Sequence, residues 1–205
     1  MKKLLIVLSI LLVPFVVFSQ DQTPNEKLNS QLSSFQVIEK TAYLSITNYS
    51  SDFQLYKEFI ILRTSRIKKV VLYMNCGGGS VIDFLSFINV LNINKPHFEI
   101  TAIASGIVAS MAVPLYLVVP ERYATRDTIF MLHPIKGMFR GMENVMDMET
   151  IALLIKNWTK RYNDIIVDNS NLTQEQVDGY LLTAGDKYFT VDEAVEMGFV
   201  HKIIQ

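Results

Sequence analysis

From about residue 40 onward, short apolar runs alternate with segments whose apolar residues recur three and four apart. The runs are 42–47 (AYLSIT), 68–75 (KKVVLYMN), 97–104 (HFEITAIA) and 128–133 (TIFMLH). Helical spacing fills the gaps. Phe53, Leu55, Tyr56, Phe59, Ile60 and Ile61 precede the second run, and Phe84, Leu85, Phe87, Ile88 and Leu91 precede the third. A further helix is expected from about Ser110, ahead of the fourth run. This rhythm predicts an α/β fold with a parallel sheet, because parallel neighbours need a crossover that returns the chain to the same edge. The run at 68–75 reads as a buried strand.

Capping signals support the helices. Ser80 precedes one helix with Asp83 at its third position, and Thr173 with Gln176 and Thr190 with Glu193 form capping boxes for two short ones. A long amphipathic helix is expected over about 143–168, with Val145, Met148, Ile151, Ala152, Ile155, Trp158, Tyr162, Ile165 and Ile166 on one stripe. The chain closes on a short strand, FVHKII. No repeat or linker divides residues 40–205, which are expected to form one domain.

The N-terminus has a different grammar. Two lysines precede an apolar run, Leu4 to Phe18, and Ser19 and Gln20 follow. A basic, then apolar, then small-residue pattern predicts a signal peptide over residues 1–19, with an uncleaved anchor as the alternative. The run is short against the ~20 residues of a spanning helix. The expected location is therefore exported, periplasmic or extracellular, or membrane-anchored. No cysteine lies near the cut, which excludes a lipoprotein. Residues 20–39 are polar and read as a loose lead-in.

Composition removes several function classes. Half of the 205 residues are hydrophobic and 19% are charged, so a packed core is available and global disorder is excluded. The net charge is −1, with no basic stripe to bind nucleic acid. The one cysteine, Cys76, forms no internal disulfide. His97, His133 and His201 lie far apart with no metal-ligand spacing, so neither a metal nor a cofactor is expected.

The segment GIVASMAVP, 106–114, places one hydroxyl, Ser110, among small and apolar residues. A small residue at a tight contact is the plain reading. A nucleophile is the other, and it needs a base, a group to orient that base, and amides for an oxyanion. His133 ends a strand just before Pro134. Ligands gather at the carboxyl ends of parallel strands, so it is the candidate base. His97 opens a strand at the wrong end, and His201 has no motif around it. The glycines of GGGSV, 77–81, and the amide of Met111 are candidate oxyanion donors. Asp186 is a candidate orienting acid, alongside Asp192 and Asp164, among which spacing does not choose.

Five segments, in order, resemble the Clp protease proteolytic-subunit family: YMNCGGGSV, GIVASMA, RDTIFMLHP, the long helix with NLTQEQV after it, and GDKYFTVDEAVEMGFVHKI. Together they span about 40–204. The resemblance implies a crotonase-like stack of βαβ units, with the 143–168 helix as a protruding handle between two heptameric rings. It implies Ser110 as nucleophile, His133 as base, Asp186 as orienting acid, and Gly79 and Met111 as oxyanion donors. It further implies a homo-oligomer acting on peptides or unfolded protein segments, fed by an ATP-driven unfoldase if the chain is cytosolic. The chain departs from the family pattern at Cys76-Gly77 (for Ser-Pro), Ala112 (for Gly), Pro114 in the nucleophile helix and Gly185 (for Arg). The expected reaction is peptide-bond hydrolysis through an acyl-enzyme. Alternatives are a Ser–Lys protease of the signal-peptide-peptidase kind, with Lys136 as the nearest lysine, a crotonase acting on an acyl-CoA, and an inactive ring subunit.

Overall fold

A computed structural model describes residues 23–47, 52–136, 145–182 and 185–205. The expected signal peptide over 1–19 lies outside the described residues. Eight strands form one sheet in the order β1-β2-β3-β4-β5-β8, with β6 beside β4 and β7 beside β6. They are β1 (Phe35–Ile38), β2 (Thr41–Ile46), β3 (Lys69–Cys76), β4 (Glu99–Ala109), β5 (Glu121–Thr125), β6 (Ile129–Leu132), β7 (Lys187–Thr190) and β8 (Lys202–Ile204). Among the described residues, β1 with β2 and β6 with β7 pair antiparallel, and the other pairings are parallel. The helices are α1 (Pro24–Asn29), α2 (Asp52–Thr64), α3 (Val81–Asn94), α4 (Ala112–Leu117), α5 (Val145–Asp168), α6 (Gln174–Leu181) and α7 (Val191–Glu196). This is the α/β architecture that the alternation predicts, with α5 as its long helix.

β3 is buried on one face only. Val70, Leu72, Met74 and Cys76 point into the core, while Tyr73 is 44% exposed and stacks on Tyr43 of β2. A strand buried on both faces would need cover on both. Here α2, α3 and α4 pack one against the next, and their aromatic residues Phe59, Phe84, Phe87 and Tyr116 fill the core. α4 is buried along its whole length, which explains the unbroken apolar run there. Pro114 is its third residue, where a missing N–H falls among donors that have no partner within the helix.

β4 has two neighbours in succession. Thr101–Ala104 pair with β5, and Ile107–Ala109 pair with β6. Between them the register with β3 jumps, from Met74 opposite Ala104 to Cys76 opposite Val108. One residue of β3, Asn75, thus spans three of β4. Its Oδ1 accepts the Ile107 N–H at 3.1 Å, replacing the ladder bond that the bulge removes. Gly106 is obligatory at this bulge. Its φ is +97°, and a Cβ would lie 2.7 Å from Asn75 Oδ1.

The segment read as a loose lead-in contains α1 and β1. Leu28, Phe35 and Val37 are buried, and Phe35 meets Phe59 edge-on at 5.3 Å. The buried carboxylate of Glu58 accepts from Ser33 N, Ser33 Oγ and Ser34 N and so ties this segment to α2. Its polar side chains face out, and that hid the alternation of β1. Two further strands, β5 and β7, are absent from the sequence reading because each is short and carries charge. β5 is Glu-Arg-Tyr-Ala-Thr, yet its arginine points inward.

Arg122 is 8% exposed, and among the described residues no carboxylate forms an ion pair with it. Its guanidinium donates to five carbonyls, those of Leu117, Val119, Asn169, Gly198 and Phe199, at 2.8–3.3 Å. The negative ends of helix dipoles and free terminal carbonyls stabilise the cation in place of an acid. Arg122→Met should lower stability by about 3 kcal/mol in urea unfolding, since it leaves several carbonyls without donors. Arg122→Lys should recover only part, because an ammonium lacks the planar fork.

Candidate active site

β3, β4 and β6 run parallel, and their carboxyl ends lie side by side. Each end hands over to a chemically distinct residue. β3 gives way to Gly77–Gly79, β4 to Ser110, and β6 to His133, with Pro134 stopping the strand. A pocket of about 320 Å³ opens at this edge and is lined by Gly78, Gly79, Ser110, Met111, His133 and Lys136, among others.

Ser110 occupies the turn between β4 and α4 with φ +54°, a left-handed conformation that costs a non-glycine residue about 1–3 kcal/mol. Its neighbours hold it there. Ser110 N–H donates to Met131 O at 2.9 Å, and its carbonyl accepts from Val113 N at 3.0 Å and Tyr162 Oη at 3.3 Å. A sharp strand-to-helix turn carrying a serine has the form of a nucleophile elbow, with the next amide, that of Met111, at the helix entrance.

The glycine loop packs against this turn. Gly78 has φ +93°, and a Cβ on it would stand 2.7 Å from Ser110 Cβ, 2.8 Å from Ala109 O and 3.1 Å from Met111 N. Gly79, the residue singled out by the resemblance, lines the same pocket, and Ser80 caps α3 with its Oγ 3.5 Å from Asp83 N. Gly77 has open space around it. Of the three glycines it is Gly78 that has no room for a side chain, a distinction the run Gly-Gly-Gly conceals.

His133 shares the pocket with Ser110. Its Nδ1 is hydrogen-bonded to the carbonyl of Pro134. Asp186 directly precedes β7, and β6 pairs with β7 so that Leu132 faces Lys187. Continuing that antiparallel register by one residue sets His133 opposite Asp186. The carboxylate meets a different partner, however: Asp186 Oδ1 lies 3.2 Å from Lys136 Nζ. No hydrogen bond joins Ser110 Oγ to His133, or His133 to Asp186. Three candidate residues thus meet at one corner of the sheet without being connected.

The other candidates lie elsewhere. Asp192 pairs with Arg126 at 2.7 Å, and Asp164 with Lys160 within α5 at 2.7 Å. His97 closes the short 3-10 turn before β4, at the amino end of that strand and away from the pocket. His201 Nδ1 accepts the Arg122 N–H at 3.3 Å, and burial, with Arg122 nearby, holds its pKa below the ordinary value. The Cys76 thiol is buried and its pKa is pushed up, so it is held as the unreactive thiol. Tyr162 was legible only as an apolar position of the long helix. Its ring is buried and its hydroxyl, whose pKa burial raises, reaches the backbone of Ser110. A larger hollow of about 720 Å³ between α5 and α6 contains no histidine.

A family model described as Clp protease matches residues 29–205. Proteins described as ATP-dependent Clp protease proteolytic subunits from Lactococcus lactis subsp. cremoris (strain SK11) and subsp. lactis (strain IL1403) are each 28% identical over 141 residues, covering 67% of this chain and 68% of theirs.

Gly78→Ala should lower stability by about 1–3 kcal/mol in urea unfolding, because its backbone is left-handed and the added methyl has no room against the Ser110 turn. Tyr162→Phe should cost about 1 kcal/mol in chemical unfolding, the ordinary worth of one hydrogen bond.

Proposed function

Because the chain belongs to the Clp protease family, we propose that it is a serine endopeptidase whose nucleophile is Ser110. The observation that carries this reading is the left-handed Ser110 on its strand-to-helix turn, in one pocket with His133 and the glycine loop. Ser110 Oγ attacks the scissile carbonyl while His133 takes its proton. The carbonyl oxygen becomes an oxyanion, held by the amides of Gly79 and Met111. Collapse of this intermediate breaks the C–N bond, and His133 gives its proton to the leaving amine. A water molecule, deprotonated by the same imidazole, then attacks the acyl-enzyme and frees Ser110. Asp186 orients the imidazole through Nδ1, which requires that ring nitrogen to exchange the Pro134 carbonyl for the carboxylate.

Lys136 gives a Ser–Lys reading its one supporting observation, since it lines the pocket. That amine is engaged elsewhere, however: Lys136 Nζ lies 3.2 Å from Asp186 Oδ1.

The substrate class we propose is peptides or unfolded protein segments. Leu4–Phe18 support an exported or anchored protein that works without an ATP-driven unfoldase. Met146, Met148, Leu153 and Leu154, exposed on α5, support a homo-oligomer assembled through that helix. Ring size follows from sedimentation of the purified chain.

Fluorophosphonate labelling tests the chemistry. The wild-type chain should label at Ser110, Ser110→Ala should not label, and His133→Ala should lose roughly 1,000-fold or more in peptide hydrolysis. Full activity in His133→Ala would exclude the triad and favour the lysine. Hydrolysis that persists in Ser110→Ala would exclude serine chemistry altogether.

A further inference from the structure

We propose that Lys136 is a positioning residue that holds Asp186 away from His133, so that the hydrolytic site stays disconnected until their ion pair opens. The inference rests on the triad reading above. The pairing of β6 with β7 ends at Leu132 opposite Lys187, and one further step of that register sets His133 opposite Asp186. Such residues have Cβ atoms about 4.5–5.5 Å apart, within reach of a hydrogen bond between an imidazole and a carboxylate. Both groups are nevertheless engaged elsewhere. Asp186 Oδ1 is 3.2 Å from Lys136 Nζ, and His133 Nδ1 is on the Pro134 carbonyl. Lys136 lies three residues beyond His133, so one short stretch carries both the base and the cation that draws the acid from it.

The backbone allows the exchange. Gly185, just before Asp186, has φ +124°, and nothing lies within 4 Å of where its Cβ would be. The resemblance leads one to expect arginine at that position. With glycine there, the acid has freedom to turn, and Lys136 is the cation it meets. The pair is also weak enough to serve as a latch. Lys136 is 67% and Asp186 36% exposed, so solvent screens their attraction and the contact is worth only a small factor in an equilibrium. Releasing it should therefore speed the reaction modestly and leave the chemistry unchanged.

The test is the rate constant for labelling Ser110 with a fluorophosphonate in the full chain. K136M and K136Q should label roughly two- to fivefold faster than wild type. K136R, which keeps the cation, should give none of that gain. In a D186N background, K136M should change nothing, because the latch acts only through that carboxylate; a merely structural role for Lys136 would not predict this. Equal or slower labelling in both K136M and K136Q overturns the proposal, as does an equal gain with and without Asp186. Loss of labelling in K136M to the level of S110A overturns it too, by making the lysine the base. Failure of the underlying reading shows separately. If H133A labels as fast as wild type while Lys136 is intact, the triad is wrong and the latch falls with it.

Discussion

The side chain of Asn75 stands in for a missing backbone partner, and the layout of the site depends on that substitution. β4 must leave β5 partway along its length and join β6. A continuous ladder with β3 would forbid this, because two extra residues on β4 cannot be absorbed by backbone bonds alone. Asn75 Oδ1 takes the orphaned Ile107 N–H, and Gly106 supplies the backbone conformation and the room. The redirected end of β4 then runs beside β6, so that Ser110 N–H reaches Met131 O and the strand end of His133 comes into the same pocket. Without the bulge, serine and histidine would sit on strands with no common edge.

From this fork the site is stabilised in layers. Ser110 is held in a costly conformation by bonds to both of its backbone groups, one from β6 and the others from α4 and α5. Gly78 closes on the turn so tightly that its hydrogen is part of the fit. Farther out, Arg122 gathers the carbonyls at the ends of α4, α5 and α7 and keeps those helices from splaying. These supports lie in the folded core, where removing one is costly. The acid of the proposed triad sits at the rim, on an exposed ion pair that contributes little to stability. The contacts are thus buried around Ser110 and exposed around Asp186. The Clp/crotonase-like architecture makes this division natural, because serine and histidine close neighbouring parallel strands while the acid arrives on an antiparallel strand added later in the chain.

Much of this was readable from residue order alone. Alternating apolar runs gave the α/β class. Ser80, Thr173 and Thr190 marked helix starts because capping is a local interaction among residues three apart. Ser110 and His133 stood out by their local settings, a serine amid small residues and a histidine stopped by proline. By spacing alone Asp186 stood level with Asp192 and Asp164, and the family resemblance was what set it apart; the pairing of β6 with β7 shows which strand its segment borders. Tyr162 and Arg122 were hidden for a related reason, since a tyrosine on an apolar stripe and an arginine in a short charged strand are ordinary until their partners are seen.

What residue order determined by itself is therefore whatever arises between near neighbours: periodicity, caps, turn residues, and the family resemblance that their sequence carries. The tertiary structure decided which strand β6 borders after β4, which glycine has no space, and which cation lies against Asp186. Those outcomes turn on strand register and on contacts between residues tens of positions apart, and a one-residue change of register would reassign them all.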